Sequence, residues 1–75
     1  MPIFEVICNR NEQGEFVPAR LVFERDIMSV RGISEHWHDG TADYFKVIAS
    51  DGETYLLRQT LDGGDWSLVG IGQVV

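Results

Sequence analysis

His36-Trp37-His38-Asp39 is the string in this chain whose residue types come nearest to a reactive centre. If the backbone there is extended, His36 and His38 share a face, because side chains repeat every two residues. Two imidazoles and a carboxylate are ligands for zinc or another divalent ion. Two histidines make at most half of such a site, however. No cysteine pair or third histidine completes it, and Cys8 is the only thiol. The expectation is a strand end with solvated histidines, and no metal is assigned.

Paired carboxylates could support acid–base chemistry. Glu35, Asp39 and Asp43 surround one loop, and Asp51 with Glu53 and Asp62 with Asp65 flank two turns. Aspartate is common in turns for a simpler reason, since its side chain bonds nearby backbone and tolerates unusual dihedrals. The Asp62–Asp65 run also has too few ligand positions for a calcium loop. Cys8 stands beside Val6 and Ile7 in an apolar run, where thiols are usually buried and inert. Ser29, Ser34, Ser50 and Ser67 occupy no nucleophile-elbow context. Gly63-Gly64 lacks the downstream lysine of a phosphate loop. The residues therefore assign no catalytic group and no cofactor, and the chain reads as a non-enzyme.

The elements that carry these residues are short and β-like. Seventy-five residues make one domain, residues 1–75, with an apolar content of 44 % that suffices for one small core. The formal charge is −6, from six basic and twelve acidic residues. Gripping a phosphate backbone needs clustered cations. Arg10, Arg20, Arg25, Arg31, Lys46 and Arg58 are scattered instead. The charge balance favours solubility or a basic partner and disfavours unaided nucleic-acid binding. A single cysteine fits a reducing compartment. With no charged-then-apolar leader and no run long enough to span a bilayer, the expected location is the cytoplasm.

β-Branched and aromatic residues cluster in six runs, 3–9, 15–25, 27–37, 44–50, 53–61 and 66–71, separated by Gly- and Asp-rich turns. Pro18 cannot donate to a ladder and marks an edge or a bulge. Gly32 suggests a bulge or bend in a curved sheet. At Asp51-Gly52, a two-residue loop would turn Lys46 toward the core. A three-residue loop, Ser50-Asp51-Gly52, sets Val47 opposite Tyr55 and Phe45 opposite Leu57, and keeps Lys46 out. It predicts a type I turn with Gly52 left-handed and a bulge. A four-residue loop, Leu61 to Gly64, then pairs Thr60 with Asp65, Gln59 with Trp66 and Leu57 with Leu68. One face so carries Phe45, Val47, Tyr55, Leu57, Trp66 and Leu68 as a core. Of the two tryptophans, Trp66 is expected in the core and Trp37 partly exposed.

The opposite face is unusually apolar for a solvated sheet surface. It gathers Tyr44, Ile48, Leu56, Val69 and, at the strand's end, Ile71, among Lys46, Thr54 and Arg58. Either the sheet curls so that the first strand or Val74-Val75 covers this patch, or the patch is an interaction or dimer surface. Trp37, Tyr44, Ile48, Leu56 and Val69 are its candidate residues.

The frame Pro18-Ala19-Arg20-Leu21-Val22-Phe23, Val30, Trp37, Asp43-Tyr44-Phe45-Lys46-Val47, Asp51-Gly52, Tyr55-Leu56-Leu57 and Trp66-Ser67-Leu68 resembles a family of short, uncharacterised bacterial β-proteins. Related patterns look like the C-terminal β domain of Y-family-polymerase-like proteins of translesion DNA synthesis. The resemblance covers about three quarters of the chain, from Pro18 onward. Arg58-Gln59-Thr60 departs from the basic Tyr–Arg–Asp-like stretch usual after Tyr-x-Leu. It implies an accessory or protein-binding domain near DNA-repair machinery and supplies no catalytic residues. The expected architecture is all-β, a five- or six-stranded antiparallel meander curled into a small SH3-like barrel or half-barrel. The expected role is a non-catalytic interaction module, either a homodimer or a partner-binding subunit. The alternative is a nucleic-acid-associated accessory domain.

Overall fold

The computed structural model describes residues 4–61 and 65–72. Six antiparallel strands follow one another as a meander: β1 (Glu5–Arg10), β2 (Phe16–Val22), β3 (Ile27–His38), β4 (Ala42–Ala49), β5 (Thr54–Thr60) and β6 (Trp66–Ile71). Spatial order repeats chain order, and the sheet curls into a half-barrel. The expected fold class is what the structure has. Among the described residues no helix is long and apolar enough to cross a membrane.

Curvature comes from β3. Its first residues, Ile27–Ser29, pair with β2, and from Val30 onward it pairs with β4. Register shifts between Val30 and Gly32 and between Ile33 and Glu35 leave Arg31 and Ser34 without an opposite number. Such bulges bend a strand and tighten its twist, so the N-terminal hairpin folds over the inner face of β4 and β5. Gly32 marks one of these bends, as its position suggested. Pro18 lies next to another shift, where Cys8 faces Pro18 and Ile7 faces Arg20. Pro18 pairs with Cys8 on β1 and, among the described residues, has no partner on the β3 side, where a residue without an N–H is tolerated.

The core consists of Leu21, Phe45, Val47, Ala49, Tyr55 and Leu57, flanked by Phe4, Val6, Val17, Phe23, Met28, Val30, Trp66 and Leu68. Rings connect its ends. Phe4 meets Phe23 at 5.3 Å, Phe23 meets Tyr55 at 6.0 Å, and Phe45 meets Trp66 at 5.5 Å, all tilted. Such pairs add to the stabilisation from burial alone. Tyr55 buries its ring and donates its hydroxyl proton to Asp51 Oδ2 at 2.6 Å. Burial, and then this bond, push the phenol up to about 12.

The proposed registers hold at their centres. Val47 faces Tyr55, Phe45 faces Leu57, Leu57 faces Leu68 and Gln59 faces Trp66. Gly52 has φ +85° and donates its N–H to the Ala49 carbonyl at 2.9 Å, while Ala49 N–H reaches the Glu53 carbonyl. Three strand ends differ from expectation by two residues or more, and one register differs. β1 begins at Glu5, and Ile3 lies outside the described residues. β2 stops at Val22, because Phe23 N–H turns to the Asp26 carbonyl at 2.7 Å. β4 starts two residues early, at Ala42, because Asp39 closes the preceding loop tightly. On β6, a shift leaves Val69 as the extra residue, so Gly70 faces Leu56 and Ile71 faces Tyr55. Ile71 therefore leaves the row of Thr54 that straight pairing gave it. The turn at Asp62, Gly63 and Gly64, and Val74-Val75, lie outside the described residues.

Candidate functional site

The β3–β4 pairing sorts the reactive residues onto two faces. His36 faces Phe45 and His38 faces Asp43, on the core side. Glu35 faces Lys46 and Trp37 faces Tyr44, on the outer side. Glu35 and Asp43, expected around one loop, are thus divided by the sheet and form no carboxylate pair. Glu35 instead holds Lys46 Nζ at 3.2 Å.

His36 and His38 share a face as expected, but they do not converge on an ion with a third ligand. Among the described residues no three His, Cys, Asp or Glu side chains are grouped to hold a metal. The His36 ring lies flat on Phe45, with centroids 4.1 Å apart and planes 11° from parallel, and its Nε2 stands 3.8 Å from Asp43 Oδ1. It works as a lid on the end of the core. Cys8 is half-buried on β1, opposite Pro18, and burial pushes its thiol up from the ordinary value. That shift disfavours the nucleophilic thiolate.

On the outer face, Trp37 stacks on Tyr44 with centroids 5.3 Å apart and planes 7° from parallel. Trp37 is 41 % exposed, which matches its expected half-exposure, while Trp66 packs against the core. Ile48 and Val69, at 37 % and 51 %, are also open to solvent. Leu56 is not: it is buried, flanked by Lys46 on β4 and Gly70 on β6. Of the candidate residues, Trp37, Tyr44, Ile48 and Val69 thus present surface, and Leu56 supports it from beneath. Two of the scattered cations stand on this face, Arg58 opposite Tyr44 and Lys46 engaged by Glu35, while Arg20 belongs to β2.

Sequence reasoning missed what holds the aromatic pair. Asp39 Oδ1 accepts the Thr41 N–H at 2.9 Å, the Thr41 hydroxyl at 2.8 Å and the Ala42 N–H at 3.1 Å. Its Oδ2 accepts the Tyr44 hydroxyl at 3.1 Å. Gly40 completes the turn at φ +94°. The Asp-Gly-Thr string was legible as a turn, but the reach of its carboxylate to Tyr44 depends on where β4 begins. These bonds, the Thr41 N–H foremost, hold the Asp39 carboxyl at about 2. A lowered folded-state value means that the stabilising contribution is present above the unfolded value of about 4 and is lost as pH falls through the folded one. The melting-temperature difference between the natural chain and Asp39→Asn is expected to be widest above about pH 4 and to shrink as pH falls toward 2. Thermal melts of both proteins across that range check it. A difference that stays constant would remove Asp39 from this role.

Comparison of the chain with protein-family models, with curated proteins and with solved structures found no match.

Proposed function

We propose that this domain is a non-catalytic protein-interaction module, and that its docking face is the outer surface of β3 to β6. The observation that carries the reading is the Trp37–Tyr44 stack, pinned by Asp39 and half-exposed on the sheet face that also carries exposed Ile48. Rigid, half-exposed aromatics are the residues on which binding energy concentrates, because they bury much area with little loss of side-chain freedom. The net charge of −6 favours a basic protein partner over a nucleic acid. The resemblance to accessory β domains of translesion-synthesis proteins agrees with such a role and suggests repair assemblies as the place to look.

The test compares affinity capture by the natural chain, by Trp37→Ala with Val69→Asp, and by Gln13→Ala on the distant β1–β2 turn. Removing a central aromatic is expected to lower retention of specific partners by at least about tenfold, with Gln13→Ala unchanged. Circular dichroism would establish that all three fold. Equal capture by all three would overturn the reading. Salt-sensitive binding of single-stranded DNA by the natural chain would replace it with the nucleic-acid alternative.

A further inference from the structure

We infer that β6 is a docking edge, and that its occupant is an extended, cationic segment of a partner protein that adds to the sheet as a seventh strand. The inference rests on the reading of this chain as an interaction module, and supplies the chemistry of the partner.

An open meander has two edges. β6 is the last strand of the sheet, and among the described residues nothing pairs with its outer side. Proteins usually guard an edge with a charge, a proline or a short strand. The sequence of β6, Trp66-Ser67-Leu68-Val69-Gly70-Ile71, contains neither a charge nor a proline, and its six residues span about 20 Å. The opposite edge, β1, carries charged Glu5 and Arg10 at its ends. Both edge pairings contain one register shift, with the extra residue at Ala19 of β2 and at Val69 of β6 itself. Val69 and Ile71 stand 51 % and 58 % exposed on β6, so side chains as well as backbone groups are open to a partner.

Charge selects the occupant. Exposed Asp65 precedes β6. At the other end Gly72 closes onto the Thr54 carbonyl, beside the Glu53 carboxylate, with Asp51 in the same exposed turn. The uncharged edge is thus bracketed by acids, with Arg58, opposite Ser67, as the cation alongside. A second copy would bring the same acids and a further charge of −6. A segment with lysine or arginine on both sides of a short alternating apolar run matches the edge. Backbone bonds would supply the pairing and the flanking cations the selectivity.

The experiment is an amide NMR titration of the full chain. One probe is an acetylated peptide of about nine residues, with lysine pairs flanking an alternating valine–threonine run. A second has glutamates in place of lysines, and a third carries backbone N-methyl groups on its pairing edge. The lysine peptide is expected to shift and protect amides of Ser67 to Ile71. The glutamate peptide should bind at least about tenfold more weakly, and the N-methyl peptide should not protect β6 at all. Ile71→Lys should abolish the effect, whereas Trp37→Ala should leave it intact. Shifts confined to the Trp37–Tyr44 face, or equal shifts from both charged peptides, would overturn the proposal. So would β6 shifts that depend on protein concentration without peptide, because the edge would then take a second copy. If the lysine peptide leaves β6 unmoved while Trp37-dependent capture persists, the edge proposal fails and the module reading stands.

Discussion

Replacing Leu57 by alanine is expected to destabilise the domain by about 3–4 kcal/mol. Leu57 has no exposed surface, lies between Phe45 and Leu68 in the sheet, and belongs to the central cluster. Truncation removes the transfer free energy of the lost methyl groups and leaves a cavity between neighbours that the β4–β6 ladder prevents from closing. A chain of this length has a total stability of only about 4–11 kcal/mol, so the melting temperature should fall by roughly 15 °C or more. Val69→Ala is the matched control. Val69 is half-exposed at a bulge, and its truncation should stay within about 0.5 kcal/mol. Thermal and urea unfolding of both variants check the contrast. A Leu57→Ala protein that melts within a few degrees of the natural chain would refute the core assignment. A large loss from Val69→Ala would mean that the outer face is covered in solution.

Where local chemistry decided the structure, the residues announced it. Asp51-Gly52 demands a left-handed residue and a tight turn. Combined with the cost of burying Lys46, that settles the pairing of Val47 with Tyr55 and of Phe45 with Leu57. The four-residue spacing after Thr60 likewise places Leu57 opposite Leu68. The readings that drifted depend on packing at a distance. The extra residue at Val69 has no glycine or proline signal of its own kind, because Gly70 beside it reads equally well as part of a straight strand. That one residue sends Ile71 to the row of Tyr55.

The candidate site was legible to the same extent. Alternation alone puts Tyr44, Ile48 and Leu56 on one face, but alternation carries no information about depth. Leu56 is buried and Ile48 is open although both sit on the outer side of a strand. Both strands are internal to the sheet, so the difference is local: Leu56 lies mid-strand between Lys46 and Gly70, whereas Ile48 lies between Gly32 and Thr54 beside the β4–β5 turn. The Trp37–Tyr44 stack needed the β3–β4 register, and that register passes through two bulges which sequence could place only loosely, at Gly32. The sorting of Glu35 and Asp43 onto opposite faces follows from the same register. It keeps these two carboxylates apart.

Gly32, at a bend of this sheet, and Gly52, in one of its turns, should respond differently to substitution. Gly52→Ala is expected to cost about 1–2 kcal/mol, and Gly32→Ala to be neutral or to stabilise by up to about 1 kcal/mol. Neither position is crowded, because an added Cβ would meet nothing within 4 Å at either. The difference is conformational. Gly52 holds φ +85°, where a Cβ strains against the backbone, and its N–H to the Ala49 carbonyl fixes the turn that sets the β4–β5 register. Gly32 has no such angle and sits within β3, so a methyl group there removes freedom from the unfolded chain without straining the folded one. Gly52→Asn separates strain from any other cause. Asparagine tolerates the left-handed region and should recover part of the loss. Urea unfolding of the three variants measures each term. If Gly32→Ala proves as harmful as Gly52→Ala, the bend at Gly32 depends on more than a bulge. If Gly52→Ala proves silent, the hairpin does not rely on its turn, and the Phe45–Leu57 and Val47–Tyr55 pairs alone hold the register.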